Sequence, residues 1–315
     1  MLPSVSISKP VFTSASSANT TVGVLAIVAA SATGTVTEPA GFSRSDLAYS
    51  QFGVGPLADF GAYDIAVANN PVVLQRCNAT HAGSYQALDT SGVTGACVVT
   101  TSGTPLDQYQ VIVSIVSGGT VGSASPAITY TYSLDGGNSV SGVQALSTDT
   151  SITIPNSGVV FDLTSATLNA NDTWSVFTTR PLPNDSDINT SLTALFRTRL
   201  PFEGVLVDCS ATSTTVNAAD LFLSAQEGNG VFKFVLLNTR FKDEPAPTAE
   251  TESAYAASLQ SQFTAASSIR VCVGADGGHV PSQITGLNLK RPTSLFLGAR
   301  AMSTPNLESF LPVEV

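Results

Sequence analysis

The stretch VGVLAIVA, at residues 22–29, is the part of the sequence that most clearly decides the fold. It contains only β-forming and small residues with no polar alternation, which predicts a strand buried on both faces. On its N-terminal side, residues 1–21 have the composition of an extended arm and a flexible linker. On its C-terminal side, residues 32–42 are rich in turn-forming residues. The strand therefore begins the folded part of the chain.

Two helices and a second strand are predicted next. Ser43 or Ser45 provides a cap for a helix that ends before Gly53. Another helix is predicted over residues 56–68, because proline suits a first turn and apolar residues then recur at helical spacing. A valine-rich strand follows at residues 72–77. This order predicts a β-α-α-β unit.

From about residue 91 to residue 179 the apolar residues recur with a period of two. Asp-Gly, Gly-Gly and Pro-Asn pairs separate the apolar runs, as such pairs do in β-hairpins. The predicted strands are at residues 109–116, 127–134, 151–154, 159–163 and 173–178. We therefore expect an antiparallel all-β insertion, either a sandwich or a small barrel.

After residue 180 helices alternate with short strands rich in valine and leucine, which predicts a mostly parallel sheet covered by helices. The predicted helices are at residues 188–200, 217–226 and 248–264, and the predicted strands at residues 203–208, 231–238 and 269–273. The predicted fold class is α+β multidomain, with an α/β core that the β insertion interrupts. Its parts are an arm at residues 1–21, core segments at 22–90 and 181–315, and an inserted domain at 91–180.

The composition is that of a folded protein with few charges. The chain has 315 residues, of which 43% are apolar and only 11% are charged, and its net charge is −10. The apolar fraction supports a buried core and excludes intrinsic disorder. The acidic balance argues against nucleic acid as a partner. The longest apolar run, at residues 22–32, is shorter than the roughly 20 residues that cross a bilayer, so we expect no membrane insertion.

The first residues do not have the pattern of a signal peptide. Pro3 stands where positive charge would be needed, and Lys9 is followed by Pro10 rather than by an apolar segment. We therefore expect the chain to be made and folded in a cytoplasm. Its cysteines have neither zinc-site nor disulfide-scaffold spacing, so we interpret them as buried small side chains. They are Cys77, Cys97, Cys209 and Cys272.

Motifs of catalysis and cofactor binding are missing from the sequence. It has no GxGxxG motif, no P-loop and no GxSxG motif. Its two histidines, His81 and His279, are predicted to lie in exposed loops rather than in a catalytic triad. Residues 185–189 resemble the start of a calcium loop but lack its glycine and final glutamate, so we interpret them as a helix cap. We expect no cofactor, no metal and no enzymatic activity.

One cluster of acidic residues surrounds two prolines in the second half of the chain. Its arrangement is typical of a solvated loop leading into a helix, because negative charge is favoured in the first turn. The alternative is a pair of carboxylates placed across the cleft of a hydrolase. The members of the cluster are Asp243, Glu244, Glu250 and Glu252.

Several stretches occur in an order that a known family shares. In the first part of the chain they are LPSVSI at residues 2–7, GVGPLADFGAY at 53–63 and NPVVLQRC at 70–77. In the β-rich part they are YQVIVSIV at 109–116, GGTVG at 118–122, YSLDGG at 132–137 and NDTW at 171–174. Near the end they are RVCV at 270–273 and RPTSLFLGAR at 291–300. In this order they resemble the tail sheath proteins of contractile-tailed bacteriophages.

The resemblance implies a structural virion protein without catalysis. Such a subunit forms hexameric rings that stack helically around a tail tube and contract to drive the tube into the host envelope. The implied partners are further copies, the tail tube protein, and the baseplate and tail terminator proteins, assembled in the host bacterial cytoplasm. Sheath proteins generally continue past the RPTSLFLGAR stretch with a C-terminal region and an arm that joins subunits, whereas this chain stops at Val315. Either the chain is truncated, or this member lacks that region, or its contacts are made otherwise.

The residues near the N-terminus indicate assembly independently of the family resemblance. Val5 and Ile7 alternate with serines and are followed by Val11, so the segment has one apolar and one polar face. Such a segment suits addition as a strand to the open sheet edge of a neighbouring subunit. Val5, Ile7 and Val11 are therefore the candidate inter-subunit contacts, and a frayed terminus is the alternative.

Two other functions remain open from the sequence. The first is a surface module whose β insertion binds a receptor or a carbohydrate, with Trp174, Tyr130 and Tyr132 as candidate stacking residues. Carbohydrate-binding faces are usually rich in aromatic residues, and a single tryptophan fits a core position better. The second is a hydrolase with an unrecognised site.

Overall fold

A computed structural model of the chain describes residues 23–242, 244 and 250–303. Its elements fall into three consecutive runs. The first run contains β1 (Leu25–Ala29), β2 (Ala40–Phe42), α1 (Ser45–Phe52), α2 (Pro56–Ala68) and β3 (Val72–Arg76). The second contains β4 (Ser84–Tyr85), β5 (Asp89–Gly92), β6 (Val99–Gly103), β7 (Gln110–Ser117), β8 (Gly119–Thr120), β9 (Thr129–Ser133), β10 (Gln144–Ala145), β11 (Ser151–Thr153), β12 (Val159–Leu163), β13 (Thr167–Leu168) and β14 (Thr173–Thr179). The third contains α3 (Asp185–Arg197), β15 (Gly204–Val207), α4 (Ser213–Glu227), β16 (Phe234–Asn238), α5 (Glu252–Phe263), β17 (Val271–Gly274), β18 (Gly277–Pro281), β19 (Asn288–Pro292) and α6 (Thr293–Ser303).

Strands of the first and third runs form one six-stranded sheet in the order β17-β16-β15-β1-β3-β2. All neighbours are parallel except β2, which pairs antiparallel with β3 at one edge. Leu25 and Ile27 of β1 share a core with α1, α2 and α6, whereas Ala26 and Val28 share a core with α3 and α4. Helices thus cover both faces, which is why β1 is buried throughout. The predicted α/β core is confirmed.

Strands β4 to β14, which we call the β-unit, form antiparallel sheets around a common core. Five strands follow the order β10-β9-β7-β14-β4, with β5 also paired to β14, and three others follow the order β11-β12-β6. Trp174 of β14 packs edge-on against Phe161 of β12, with ring centres 5.9 Å apart, so the two sheets face each other. None of the sheets described closes into a barrel. The predicted all-β insertion is confirmed, and it has the facing sheets of a sandwich.

The β-unit carries no positive charge on lysine or arginine. Between Arg76 and Arg180 the sequence has neither residue type and only six acidic residues, all of them aspartate. Three of these aspartates are buried and the other three are exposed. The buried ones are Asp107, Asp135 and Asp172, and the exposed ones are Asp89, Asp149 and Asp162.

The start of α1 differs from the prediction. Neither Ser43 nor Ser45 caps the helix, because Arg44 occupies the cap position and Ser45 is already helical. No side chain caps the first turn, and the Arg44 guanidinium instead bonds the Asp46 carboxylate. The position of Ser43 and Ser45 near the start of α1 was therefore not enough to make either of them its N-cap.

Caps explain the other shifted helix starts. Helix α3 begins before the predicted residue 188, because the Asn184 side chain accepts a hydrogen bond from the N–H of Asp187, whose carboxylate accepts one from the N–H of Asn184. The interpretation of residues 185–189 as part of a helix cap is thus confirmed. Helix α5 begins at Glu252 because Thr251 caps it, while the predicted start at residue 248 lies outside the described residues.

Hairpin β18–β19 and helix α6 were not predicted from the sequence. Glycines and prolines interrupt the apolar pattern of both strands, so neither has the appearance of a strand in isolation. Leu289 of β19 lies in the core of the β-unit, although the hairpin belongs to the last run of the chain. The hairpin therefore bridges the two parts of the fold. Within the described residues no helix has the length and apolarity needed to cross a bilayer.

Candidate functional site

The junction between the α/β core and the β-unit is organised around a fully buried arginine, Arg291 of β19. Its Nε lies 2.7 Å from Oδ2 of Asp59 in α2. Its Nη1 and Nη2 each lie 2.8 Å from an oxygen of Asp107, in the loop between β6 and β7. This Arg291 cluster, consisting of Arg291, Asp59 and Asp107, thus joins three elements that are distant in sequence.

Further hydrogen bonds support the two carboxylates of the Arg291 cluster, and the carboxylates keep Arg291 charged. Ser282 donates its hydroxyl to Asp59, and the backbone N–H of Gln108 donates to Asp107. Burial by itself lowers the pKa of Arg291, but the charges of Asp107 and Asp59 outweigh it and raise that pKa above its usual value. Two carboxylates and one guanidinium leave a net charge of about −1 in the interior, which such a site tolerates only with good hydrogen bonding.

A second buried arginine, Arg180, stands directly after β14. Its Nε lies 3.0 Å from Oδ1 of Asp208, and its Nη1 lies 2.6 Å from Oε1 of Glu244. Nη1 also lies 3.3 Å from Oε1 of Gln108, and the guanidinium stacks 4.2 Å from the ring centre of Phe241. Arg180 and Arg291 therefore bind adjacent residues of one loop of the β-unit.

Asp135, in the YSLDGG stretch, contributes a third link at the junction. Its Oδ1 accepts hydrogen bonds from the Ser133 hydroxyl and the Ser139 N–H, which close the local turn. Its Oδ2 accepts one from the N–H of Asn288 in β19, at 3.1 Å. Burial raises the pKa of Asp135, but these hydrogen bonds outweigh it, so the pKa is lower than usual. Three of the stretches quoted for the family thus meet at the bridging hairpin.

A cleft of about 320 Å³ opens beside the Arg291 cluster. Tyr49, Tyr109 and Tyr132 contribute aromatic walls, and Leu287 contributes an apolar one. The charged groups at its base already bond one another, so none is left as a nucleophile or a general base. Nor do the described residues contain three metal-binding side chains grouped as a metal site. The arrangement is suited to holding two units together.

An isolated buried acid lies elsewhere on α2. Asp64 is fully buried on the face of the helix that also carries Leu57 and Phe60. Neither carboxylate oxygen has a hydrogen-bond partner among the described residues. Burial raises the pKa of Asp64 to about 7, because the charged form has no compensating group.

The candidate contact residues Val5, Ile7 and Val11 lie outside the described residues. The candidate stacking residues do not form an exposed platform, because Trp174 and Tyr130 are buried in the core of the β-unit. Tyr132 alone reaches a cleft, the one beside the Arg291 cluster. Wide exposure of a stacking face, which carbohydrate recognition requires, is therefore not provided by these residues.

The cysteines and histidines partly match their predicted positions. Cys77 and Cys209 are buried, and burial raises the pKa of Cys77 to about 11 and that of Cys209 to about 12. Cys97 is also buried, but Cys272 is exposed, because it lies in the edge strand β17. His81 is exposed as expected. His279 is exposed too, but it lies in strand β18 rather than in a loop.

The predicted acidic loop is largely an ion-pair region. Glu244 is mostly buried against Arg180, and its burial raises its pKa in spite of that pair. Glu250 bonds Arg240, and Glu252 bonds Lys242, so both carboxylates form ion pairs with nearby cations. Asp243 lies outside the described residues. The expectation of a purely solvated cluster was wrong for Glu244, because Arg180 is brought to it by the fold.

Comparison with known proteins shows only distant likeness. No family model matches the sequence, and no curated protein matches it. A sheath tail protein from Listeria innocua is similar in structure, with a TM-score of 0.35 and 14% identity, over 90% of this chain and 56% of that one. A sheath tail protein from Desulfitobacterium hafniense has a TM-score of 0.39 and 13% identity, over 95% of this chain and 61% of that one. The chain thus spans 56% and 61% of the lengths of these two proteins.

Proposed function

We propose that the chain is a structural subunit of the contractile tail sheath of a bacteriophage, and not an enzyme. The observation that supports this most is the junction, where Asp59, Asp135 and Arg291 come from three separate stretches that resemble the family. Their polar groups are used to join the core to the β-unit. Residues that hold parts together suit a subunit that transmits force better than they suit one that turns over a substrate.

In the proposed assembly, subunits form hexameric rings that stack around a tail tube and contract to drive it into the host envelope. Repeated head-to-tail contacts produce rings when the rotation closes and helical rows when it does not. The tail tube, baseplate and tail terminator proteins would be the other partners, in a tail assembled in the host bacterial cytoplasm. Negative-stain microscopy of the purified protein tests the proposal, which rings or tubes would support and a persistent monomer would contradict.

The N-terminal arm gives a sharper prediction about assembly. We propose that residues 2–13 add as a strand to a neighbouring copy, with Val5, Ile7 and Val11 as contacts. Among the described strands, β17 pairs only with β16 and so offers an open sheet edge. We expect Val5→Asp with Ile7→Asp to abolish rings and tubes, because charge would be placed on the apolar face of the added strand.

The control for the arm places the same charges on its polar face. Ser4→Asp with Ser6→Asp should leave assembly intact, and the melting temperature of the isolated subunit should be unchanged in both variants. Microscopy and differential scanning calorimetry give the two readouts. Assembly that survives the Val5 and Ile7 substitutions would show that the arm is not the linkage.

A further prediction concerns the inserted domain, which we propose at residues 91–180. The six-stranded sheet lies outside it, and without Asp107 and Gln108 Arg291 still has Asp59 while Arg180 still has Asp208. Replacing residues 91–179 with a short Gly/Ser linker should therefore leave a folded core. A cooperative thermal transition seen by circular dichroism would agree, and a chain without one would refute the domain assignment.

A further inference from the structure

Two arginines of the α/β core have no polar partner in the part of the chain that the structure describes. Arg197 lies in the last turn of α3 and Arg199 two residues later, and both are exposed. Among the described residues, neither side chain has a hydrogen bond or an ion pair, whereas every other described lysine and arginine has a polar partner. The negative end of the helix dipole favours a cation at Arg197. It does not explain Arg199, which lies beyond the helix. In a chain with a net charge of −10, two unpaired cations side by side call for an explanation.

Apolar side chains are exposed beside these arginines. Phe196, which precedes Arg197, packs edge-on against Phe202 and Phe222, with ring centres 5.5 and 5.1 Å apart. Leu221 precedes Phe222 in α4, and 73% of its surface is exposed. The arginines therefore border an aromatic cluster that continues to an exposed leucine.

Phe232 is a further exposed apolar residue, next along the chain to a residue that contacts the aromatic cluster. It is 73% exposed and precedes Lys233, whose Nζ lies 4.3 Å from the ring centre of Phe202. Exposed aromatic residues and arginines are the residue types that contribute most to protein–protein binding. We call Arg197, Arg199, Leu221 and Phe232 the basic patch.

The β-unit has a surface of opposite charge. Asp162 of β12 pairs in register with Ser151 of β11, and exposed Asp149 stands two residues before Ser151. No described residue donates a hydrogen bond to the carboxylate of Asp149 or Asp162, and no cation of the β-unit offsets them. Val143, which is 60% exposed, precedes β10, the strand that comes before β11 along the chain. We call Val143, Asp149 and Asp162 the acidic patch.

The two patches lie toward opposite ends of the α/β core. Arg180, directly after β14, bonds Asp208, directly after β15, so the β-unit joins at the carboxyl ends of the parallel strands. Phe202, two residues before β15, packs against Phe196, so the basic patch lies at the amino ends. Contact between the patches therefore belongs to two copies.

We propose that the basic patch of one copy binds the acidic patch of a second copy, which gives the proposed tail subunit a head-to-tail contact. The inference rests on the proposed function in that it needs self-assembly. Opposite charges select the register of the contact, and the exposed Phe232, Leu221 and Val143 supply apolar area. Because the two surfaces differ, the contact is heterologous and can repeat from copy to copy.

Charge reversal tests this contact in the full chain. Arg197→Glu with Arg199→Glu should raise the dissociation constant for self-association at least about tenfold at low salt, because like charges would then face each other. Adding Asp149→Arg and Asp162→Arg to the same chain should restore wild-type association. Sedimentation velocity over a range of concentrations gives the constants, and the wild-type constant should rise with added salt.

Two controls separate the contact from general charge and folding effects. Arg44→Glu also reverses an exposed arginine, one that already bonds Asp46, and should leave association unchanged. Each variant should keep the wild-type circular dichroism spectrum. Wild-type association in the reversed variant, or no recovery in the fourfold variant, would overturn the contact while leaving the sheath proposal intact. A wild-type chain that stays monomeric would overturn both.

Discussion

Replacing Arg291 with methionine should lower the free energy of unfolding by about 3–5 kcal/mol, which is the usual cost of removing one partner from a buried ion pair. Methionine fills similar volume, so the loss comes from Asp59 and Asp107, which would remain buried without their cation. Whole domains are stable by only about 5–15 kcal/mol, so the variant would be close to unfolding. Urea denaturation followed by fluorescence and circular dichroism measures the change.

Two companion variants identify the cause. Arg44→Met removes an exposed ion pair, with side chains 68% and 59% exposed, and should leave the stability nearly unchanged, because solvent screens such a pair. Adding Asp59→Asn and Asp107→Asn to Arg291→Met should recover part of the loss, because the orphaned charges disappear. A single variant as stable as the wild type would show that the cluster does not hold the junction.

Replacing Asp64 with asparagine should stabilise the protein at pH 8. Burial raises the pKa of Asp64 to about 7 from its ordinary value of 3.8, so the folded state holds its proton more tightly than the unfolded state. The contribution of protonated Asp64 to the free energy of unfolding is complete below the pKa of the unfolded state. It is lost as the pH rises through the pKa of the folded state. With about 1.4 kcal/mol per pKa unit, the wild type should lose about 4 kcal/mol between pH 4 and pH 8 at this site.

Asparagine has nearly the shape of aspartic acid but stays neutral at every pH. The difference between wild type and Asp64→Asn should therefore be small near pH 4, grow up to about pH 7 and then level off. Glu38→Gln, at an exposed position outside both patches, is the control and should show no comparable difference. Denaturation curves of all three proteins across this range give the measurement. A difference between wild type and Asp64→Asn that does not change with pH would mean that Asp64 is not held neutral by the fold.

The sequence was sufficient where local chemistry decides the structure. Helix α2 begins at Pro56 and ends at Ala68 as predicted, because proline fixes its first turn and Asn69, with φ of 54°, takes the left-handed conformation that ends it. The strands of the β-unit were predictable for the same kind of reason, since alternate residues of β7 and β14 point into one core. In these elements the pattern along the chain and the burial in the fold coincide.

The junction could not be predicted in the same way. Arg291 bonds Asp59 and Asp107, which lie 232 and 184 positions away, and no local pattern specifies such partners. Hairpin β18–β19 buries Leu289 in the core of the β-unit. The sequence of the hairpin alone therefore does not show that it forms buried strands. One signal was available: residues 277–303 contain the adjacent cations Lys290 and Arg291 but no acidic residue, so acidic partners of these cations must lie elsewhere in the chain. It would have drawn attention to Arg291 but not to its partners.

The absence of lysine and arginine from the β-unit also determines where some proteases can cut this protein. Enzymes of trypsin specificity cut after these two residues, so they find no cleavage site after Arg76 until Arg180, even in the unfolded chain. Arg180 is itself followed by Pro181, a bond that such enzymes cut poorly, so the first efficient site beyond the unit is Arg197. The unit should therefore survive digestion as one long peptide, and amine-reactive reagents should label only the rest of the chain.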